Sequence, residues 1–359
     1  MGERPVSTFK VAATYVGTVV GAGFASGQEV LQFFGYFGAK GVPGVGLAVV
    51  LFSLYGYLIL ESGRKLSARS HLPVVRATGG RLVGTAIDAV ITFFLFGALV
   101  AMTAGAGAVF EEQFGLVSIA GNALLAITTL FTVLLGIQGV VTAISMVVPA
   151  LLIAAVGISI GTLVRAPLEL AAIRTLDATR AAVPSWPLSA IVYVSYTIVL
   201  AVGVLAPLGA IAKSPEALRR GAILGGVGLG LGALAIHLSI LATLPQSARL
   251  EVPMIYIAGR FPRAVQVGYS VVLLLEIYTT AVGNLYGFVA RITKPRGTAF
   301  RWLVVATSLV ALLAGRLGFS RLVRILYPAV GYAGLLLLLA LTYRMIQGAL
   351  SAKQPAGQS

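Results

Sequence analysis

Long apolar runs separated by short polar segments dominate the chain. Ten of these runs have about the length that crosses a bilayer as a helix. They cover residues 8–35, 41–61, 83–110, 117–137, 140–164, 188–211, 217–244, 264–292, 299–315 and 321–343. The pattern therefore predicts an all-α polytopic membrane protein with ten transmembrane helices.

The composition supports this class and excludes others. The 359 residues are 58% hydrophobic and 10% charged, with a mean hydropathy of +0.98, unlike a soluble globular domain. The absence of cysteine excludes disulfides, thiolate metal sites and thiol catalysis. The formal charge of +15 does not indicate a nucleic-acid partner, because the basic residues lie in short loops between apolar runs. Sixteen of the 26 lysines and arginines fall on the side of both chain ends, which predicts cytoplasmic termini in the plasma membrane.

The first run contains a cluster of glycines followed by an acidic residue. Gly17, Gly21, Gly23 and Gly27 lie within eleven residues, and Glu29 follows them. A glycine inside a helix costs about 0.5–1 kcal/mol relative to alanine, so the cluster predicts a helix that opens. Unwound backbone at membrane depth is tolerated where it is buried in protein or lines a cavity, and there it offers carbonyls to a cation and N–H groups to an anion. Close packing of small residues is the alternative, but it does not account for Glu29.

The chain repeats a motif at an offset of 180 residues. His71-Leu-Pro-Val-Val-Arg-Ala-Thr-Gly and Glu251-Val-Pro-Met-Ile-Tyr-Ile-Ala-Gly share a proline and a later glycine, and the same offset carries Gly23 to Gly203. The offset predicts one transporter domain over 1–359, made of inverted repeats 8–164 and 188–343, with helices 1 and 6 both discontinuous. It also predicts short helices at 71–80 and 250–260. Coincidence among glycine-rich helices is the alternative.

Polar residues at the middle of the sixth and eighth runs are candidate ligands. In the sixth run these are Tyr196 and its neighbours, although plain bundle packing explains the tyrosines equally well. In the eighth run Glu276, Thr279 and Thr280 share one helix face, which suits a hard cation such as sodium. Glu276 could instead titrate in a proton relay or pair with another helix.

Two segments carry a resemblance to a known family. Residues 12–29 (AATYVGTVVGAGFASGQE) and 276–284 (EIYTTAVGN) resemble the YkvI-type bacterial membrane proteins, grouped with the amino acid–polyamine–organocation superfamily. The resemblance implies the LeuT fold of five plus five inverted helices. Laid on the sodium-dependent members of that fold, it implies a sodium site formed by Gly17, Val20, Glu276, Thr279 and Thr280.

The resemblance implies a secondary active transporter, a symporter of sodium and a small amino acid-like zwitterion or an organic amine. The expected partners are that substrate and the lipid bilayer, with no cofactor apart from the coupling ion and no enzymatic activity. A proton-coupled transporter that uses Glu276 or Glu29, and a receptor or channel on the same fold, are the alternatives. The expected substrate-binding residues are Gly21, Ala22, Gly23, Phe24, Ala25, Ser26, Gly27, Glu29, Tyr193, Tyr196, Thr197 and Val199.

Overall fold

The computed structural model describes residues 7–135, 138–166, 177–212, 214–294 and 297–351, and it is all-α within these ranges. The helices are α1 (Thr8–Val19), α2 (Ala22–Ala25), α3 (Gln28–Phe33), α4 (Gly41–Lys65), α5 (His71–Phe114), α6 (Ser118–Leu135), α7 (Gln138–Arg165), α8 (Trp186–Ala210), α9 (Pro215–Leu241), α10 (Pro253–Ala258), α11 (Arg263–Ile292), α12 (Thr298–Ala314) and α13 (Phe319–Ser351). Among the described residues, eight helical stretches are long and apolar enough to cross a membrane. These eight stretches confirm the prediction of a multi-pass membrane protein.

Two of the ten predicted spans are not among those eight stretches. The first predicted span is divided between α1, α2 and α3, and in the fifth only the shorter segment Ala150–Arg165 qualifies within α7. The end of the predicted fourth span, residues 136–137, lies outside the described residues. So do several basic residues behind the orientation prediction, namely Arg4, Arg174, Lys213, Arg296 and Lys353.

The first predicted span is broken, as the glycine cluster indicates. The α1 hydrogen-bond ladder ends with the Val20 N–H donating to the Val16 carbonyl at 2.8 Å. It resumes with the Ala25 N–H donating to the Gly21 carbonyl at 3.0 Å. Val20 and Gly21 between them have extended backbone. A helix that ends here leaves its last carbonyls without intrahelical partners, so the carbonyls of residues 17–20 are available to a ligand.

The prediction that the sixth span is also discontinuous is wrong. α8 runs without a break from Trp186 through Gly203 to Ala210. Its polar side chains are satisfied without opening the backbone, because Thr197 Oγ1 donates to the Tyr193 carbonyl at 2.8 Å and Ser195 Oγ donates to a carbonyl of α13 at 2.7 Å. The carbonyls near residues 196–199, which a discontinuous helix would have offered to a ligand, therefore remain in the helix ladder.

α4 packs closely against α8 because small residues face each other at the contact. A β-carbon on Gly63 would collide with the backbone carbonyl of Ala206, and one on Gly209 would collide with that of Leu60. Such small-residue contacts let helix backbones approach in a membrane, where lipid supplies no hydrophobic drive for helix association. α4 and α1 also pack on α9, while α5 packs against α11 and α13.

Both predicted short helices are present. α10 begins at Pro253, whose missing N–H costs nothing at a first helical position. Residues 71–79 form the first part of α5, and Gly80, with a φ of +78°, separates this part from the long helix that follows. The long part of α5 then passes the break in the first span together with α8, α11 and α13.

Candidate functional site

A cavity of about 500 Å³ lies at the break between α1 and α2. It is lined by Gly17, Thr18, Val19, Val20, Gly21, Ala22, Gly23 and Glu29 from the first span, by Ile91, Phe94, Leu95, Ala98 and Met102 of α5, by Tyr196, Thr197, Leu200 and Val204 of α8, by Glu276, Thr279, Thr280, Gly283 and Asn284 of α11, and by Tyr327 of α13. The lining is mostly apolar, with two carboxylates and a small number of hydroxyl, amide and backbone groups. Such a composition is typical of a small-molecule site.

The structure brings all five predicted sodium ligands to this cavity. Gly17 and Val20 lie at the end of α1, where the backbone carbonyls have left the helix ladder. On α11, Thr280 Oγ1 donates to Glu276 Oε1 at 3.4 Å, and Thr279 Oγ1 donates to the Glu276 carbonyl at 3.1 Å. Glu276 Oε2 is buried without a hydrogen-bond partner among the described residues. This oxygen is a free ligand of the type that hard cations prefer, so the residues fit a sodium ion.

Glu29 turns back from α3 towards the break in the first span. Its Oε2 accepts a hydrogen bond from the Tyr196 hydroxyl of α8, and 6% of the residue is exposed. Its Oε1 packs so closely on Gly23 that a β-carbon there would collide with it. The absence of a side chain at residue 23 therefore gives the carboxylate its place in the cavity.

A cluster of aromatic rings lies at the end of the cavity that Glu29 occupies. The ring centroid of Tyr196 lies 5.1 Å from that of Tyr327, 6.4 Å from that of Phe94 and 5.7 Å from that of Phe33. From this cluster the lining continues along α8 to Val204 and along α11 to Asn284, towards the C-terminal ends of both helices. The cavity thus extends to one side of the cluster.

Six of the expected substrate-binding residues do not line the cavity. They are Phe24, Ala25, Ser26, Gly27, Tyr193 and Val199. Four of them hold α2 in place. Phe24 packs near Gly232, the Ala25 carbonyl accepts a hydrogen bond from the Tyr269 hydroxyl, and Ser26 Oγ donates to the Gly23 carbonyl at 2.8 Å. Gly27 has a φ of +81°, which lets the chain turn from α2 into α3.

The other two of the six belong to packed surfaces of α8. The ring centroid of Tyr193 lies 5.2 Å from that of Phe33 and 5.7 Å from that of Phe52, which agrees with the alternative of bundle packing. Val199 is fully buried. The predicted residues of α8 that do reach the cavity are Tyr196 and Thr197.

α5 and α13 contribute cavity residues that the sequence did not single out. Tyr327 directly precedes Pro328 within the apolar helix α13, so this pair is visible in the sequence as an interruption of an apolar run. Phe94 and Met102 lie in an apolar stretch of α5 that gives no comparable signal. Their position follows only from how α5 packs across the break.

α10 is attached to the ends of three other segments. Glu112 of α5 accepts hydrogen bonds from the backbone N–H groups of Glu251 and Val252 at 2.6 and 3.0 Å. The Met254 N–H donates to the Ser26 carbonyl at 3.1 Å. Burial raises the pKa of Glu251, the charge of Glu111 raises it further, and the hydrogen bond that Glu251 accepts from the Phe319 N–H opposes both effects.

Comparison with solved structures shows which fold this helix arrangement adopts. The structure of MhsT in complex with L-phenylalanine matches with a TM-score of 0.65 and 16% identity over 94% of this chain and 89% of that chain. A Na⁺-coupled sialic acid symporter in a substrate-bound outward-open state matches with a TM-score of 0.57 and 14% identity over 88% and 75%. A manganese transporter mutant of Eremococcus coleocola matches with a TM-score of 0.55 and 14% identity over 95% and 77%.

The fold and the cavity at the broken helix define a multi-pass membrane protein of the LeuT fold. The membrane protein YkvI of Bacillus subtilis (strain 168) is 30% identical over 341 residues, which are 93% of this chain and 95% of YkvI. YyaD of the same organism is 28% identical over 339 residues, or 91% and 93% of the two chains. The chain therefore belongs to the YkvI family, as the sequence resemblance predicts. No protein-family model matches it.

Proposed function

We propose that the protein is a secondary active transporter, a symporter of a small solute and sodium that works by alternating access. One observation carries the proposal. The break in the first span meets α11 at one cavity, where a Glu276 carboxylate oxygen with no hydrogen-bond partner among the described residues lies with the Thr279 and Thr280 hydroxyls. Broken helices at cavities are the substrate and ion sites of secondary transporters. The structural neighbours are transporters rather than enzymes, which also supports this proposal.

The proposed architecture is ten spans in two inverted repeats, 8–164 and 188–343. α1, α2 and α3 together make the first span, and α7 makes the fifth. Both chain ends are cytoplasmic in the plasma membrane, as the excess of lysine and arginine favours. In this orientation the C-terminal ends of α8 and α11 point to the cytoplasm, so the cavity extends towards the inner side and the aromatic cluster lies on its outer side.

In the proposed sodium site, the Gly17 and Val20 carbonyls face the hydroxyl oxygens of Thr279 and Thr280. Glu276 supplies the negative charge that offsets the ion. A bound sodium ion would neutralise the charge of the Glu276 carboxylate. α11 would hold this carboxylate and the two threonine hydroxyls on one helix face. The sodium coupling of the sialic acid symporter, which has the same fold, supports this choice of ion.

In the proposed substrate site, the remaining lining beside Glu29 receives an amino acid-like zwitterion or an organic amine. The N–H groups of Gly21, Ala22 and Gly23 lie at the start of α2, and Tyr196 and Thr197 line the same cavity from α8. The neighbour MhsT is a complex with L-phenylalanine, a ligand of suitable size. Closing and opening the aromatic cluster would alternate the access to this site.

Proton coupling is the second candidate, because two buried carboxyl groups, Glu29 and Glu276, line the cavity. The manganese transporter among the structural neighbours makes a divalent metal a third candidate ion. The described residues, however, include no group of three or more His, Asp or Glu side chains that could hold such a metal. Sodium therefore remains the ion that the oxygen-rich α11 face favours.

Uptake by proteoliposomes separates these functions. The purified protein is reconstituted and given a panel of radiolabelled amino acids and amines under an inward sodium gradient. Uphill accumulation that a sodium ionophore abolishes supports the proposal. Accumulation that only a proton ionophore abolishes supports proton coupling, and uptake that merely equilibrates overturns symport in favour of a facilitator.

A further inference from the structure

We infer that the substrate is an organic ammonium cation with an apolar body and that Glu29 is its counter-ion. The inference rests on the proposed transport function and makes its substrate class specific. Its basis is the combination of charge balance, the position of the Glu29 carboxylate and the aromatic lining at that end of the cavity.

The described lining of the cavity has acidic side chains and no basic ones. It includes the carboxylates Glu29 and Glu276 and no lysine, arginine or histidine. A charged group at membrane depth is usually paired. Glu276 has its offsetting charge in the proposed sodium ion. Among the described residues, the side-chain hydrogen-bond partner of Glu29 is the Tyr196 hydroxyl, which carries no charge. A bound cation would supply the second missing positive charge.

The position of Glu29 also disfavours a zwitterion. Open backbone at this turn would offer N–H groups to a substrate carboxylate, yet the Ala25, Ser26 and Gly27 N–H groups donate to carbonyls inside the turn. The carboxylate of Glu29 itself packs on Gly23, at the part of the turn that faces the cavity. A substrate carboxylate brought to this place would meet a like charge at close range, which is costly in a site of low dielectric.

The surroundings of Glu29 suit an ammonium group attached to an apolar body. The rings of Tyr196, Phe94 and Tyr327 stand at this end, and aromatic faces attract organic cations when water is excluded. Beyond them, side chains such as Met102 and Leu200 form apolar walls. The volume of about 500 Å³ accommodates a small amine together with an ion.

The inference is tested with matched ligands that differ in charge and share their apolar body. One set is 2-phenylethylamine, L-phenylalanine and 3-phenylpropionate, and the other is 3-methylbutylamine, L-leucine and 4-methylpentanoate. Binding to the purified full chain in sodium chloride is measured by isothermal titration calorimetry. We expect an amine of at least one set to bind about tenfold or more tightly than its zwitterion and its anion.

Two substitutions at Glu29 separate charge from shape. Glu29→Gln keeps an oxygen acceptor for the Tyr196 hydroxyl and removes the charge, so amine binding should weaken by about 10- to 100-fold. Glu29→Asp keeps the charge and should retain a measurable preference for the amine over the zwitterion. Glu111→Gln, at an exposed carboxylate near the end of α5, is the control and should change neither affinity.

The outcomes distinguish this inference from the transport proposal. Equal or tighter binding of the zwitterions, unchanged amine affinity in Glu29→Gln, or binding of none of the six compounds overturns the inference. Uphill, sodium-driven uptake of L-phenylalanine or L-leucine would leave the symporter in place and reject the amine. Conversely, Glu29-dependent amine binding without sodium-driven accumulation would keep the ligand class and reject symport.

Discussion

Replacing Glu276 by glutamine should stabilise the protein without sodium and abolish most of its stabilisation by sodium. Glu276 is 3% exposed, and its Oε2 has no hydrogen-bond partner among the described residues. Without an ion, its buried charge is uncompensated, so neutralising it should increase stability. With an ion, the same change removes the attraction between two opposite charges. The two effects have opposite signs, which a merely structural glutamate would not produce.

The size of the effect follows from the site. Two unit charges about 4 Å apart attract by roughly 4 kcal/mol at an effective dielectric constant of about 20. Desolvation of both groups reduces the net gain, so we expect Glu276→Gln to weaken sodium binding by about 2 kcal/mol, or roughly 30-fold. Thr279→Val and Thr280→Val each remove one neutral oxygen and keep the shape, which should cost about 1 kcal/mol, or roughly fivefold.

The assay is the melting temperature of the purified protein across a sodium chloride titration, with potassium chloride keeping the ionic strength constant. A ligand that binds only the folded state raises stability with its concentration, so the titration yields the dissociation constant. Thr18→Val is the matched control, because Thr18 lines the same cavity from α1 but its side chain is not one of the proposed sodium ligands. A sodium response that is unchanged in all three α11 variants would refute the site, and no response in the wild type would refute sodium coupling.

Four further predictions follow from individual contacts. Gly63→Ala should lower the free energy of unfolding by about 1–3 kcal/mol, and with it the melting temperature, because the new β-carbon would meet the backbone of α8. Gly46→Ala, in open space on the same helix, should be neutral or slightly stabilising, and equal effects of the two changes would contradict the close contact. Gly23→Ala should displace the Glu29 carboxylate and weaken amine binding by about tenfold in calorimetry, and unchanged affinity would contradict the packing of these two residues. Tyr196→Phe removes the hydrogen bond to Glu29 and should lower stability by about 1–3 kcal/mol in thermal melts, a loss that Glu29→Gln should reduce if the two act together. The pKa of Glu251 is raised in the folded state, so the folded protein binds this proton more tightly, and the stabilisation present at low pH is lost as the pH rises above about 4.5. In thermal melts Glu251→Gln should lack this pH-dependent loss of stability, and pH profiles of stability that run parallel in the variant and the wild type would contradict the prediction.

The membrane class and much of the site could be predicted from the sequence because both depend on local patterns. Apolar runs predict spans, and the i, i+3, i+4 spacing on α11 placed Glu276 and its two threonines on one face. The glycines around Gly21 predicted the break between α1 and α2. These features are determined by a few neighbouring residues, so distant packing had little influence on them.

The sequence predictions failed where contacts between residues far apart in the chain determine the structure. Gly203 is the 180-residue counterpart of Gly23, yet α8 continues through it while the first span opens. A single glycine in a long helix costs about 1 kcal/mol, which is little beside the packing of α8 on α4 and α13. Tyr327 and Phe94 lie on helices far from the break in sequence, and no local pattern indicates that their rings meet Tyr196.

The contrast between Gly23 and Gly203 also explains why the two halves need not contribute equally to binding. A β-carbon on Gly203 would meet nothing within 4 Å, whereas one on Gly23 would collide with Glu29. Gly23 thus packs against a buried carboxylate six residues further along the chain. Gly203 has no comparable neighbouring group among the described residues. A backbone break is useful where it creates both room and unpaired polar groups for a ligand. Only the first half provides that combination in the described structure, so in the proposed site α8 would contribute side chains such as Tyr196 rather than its backbone.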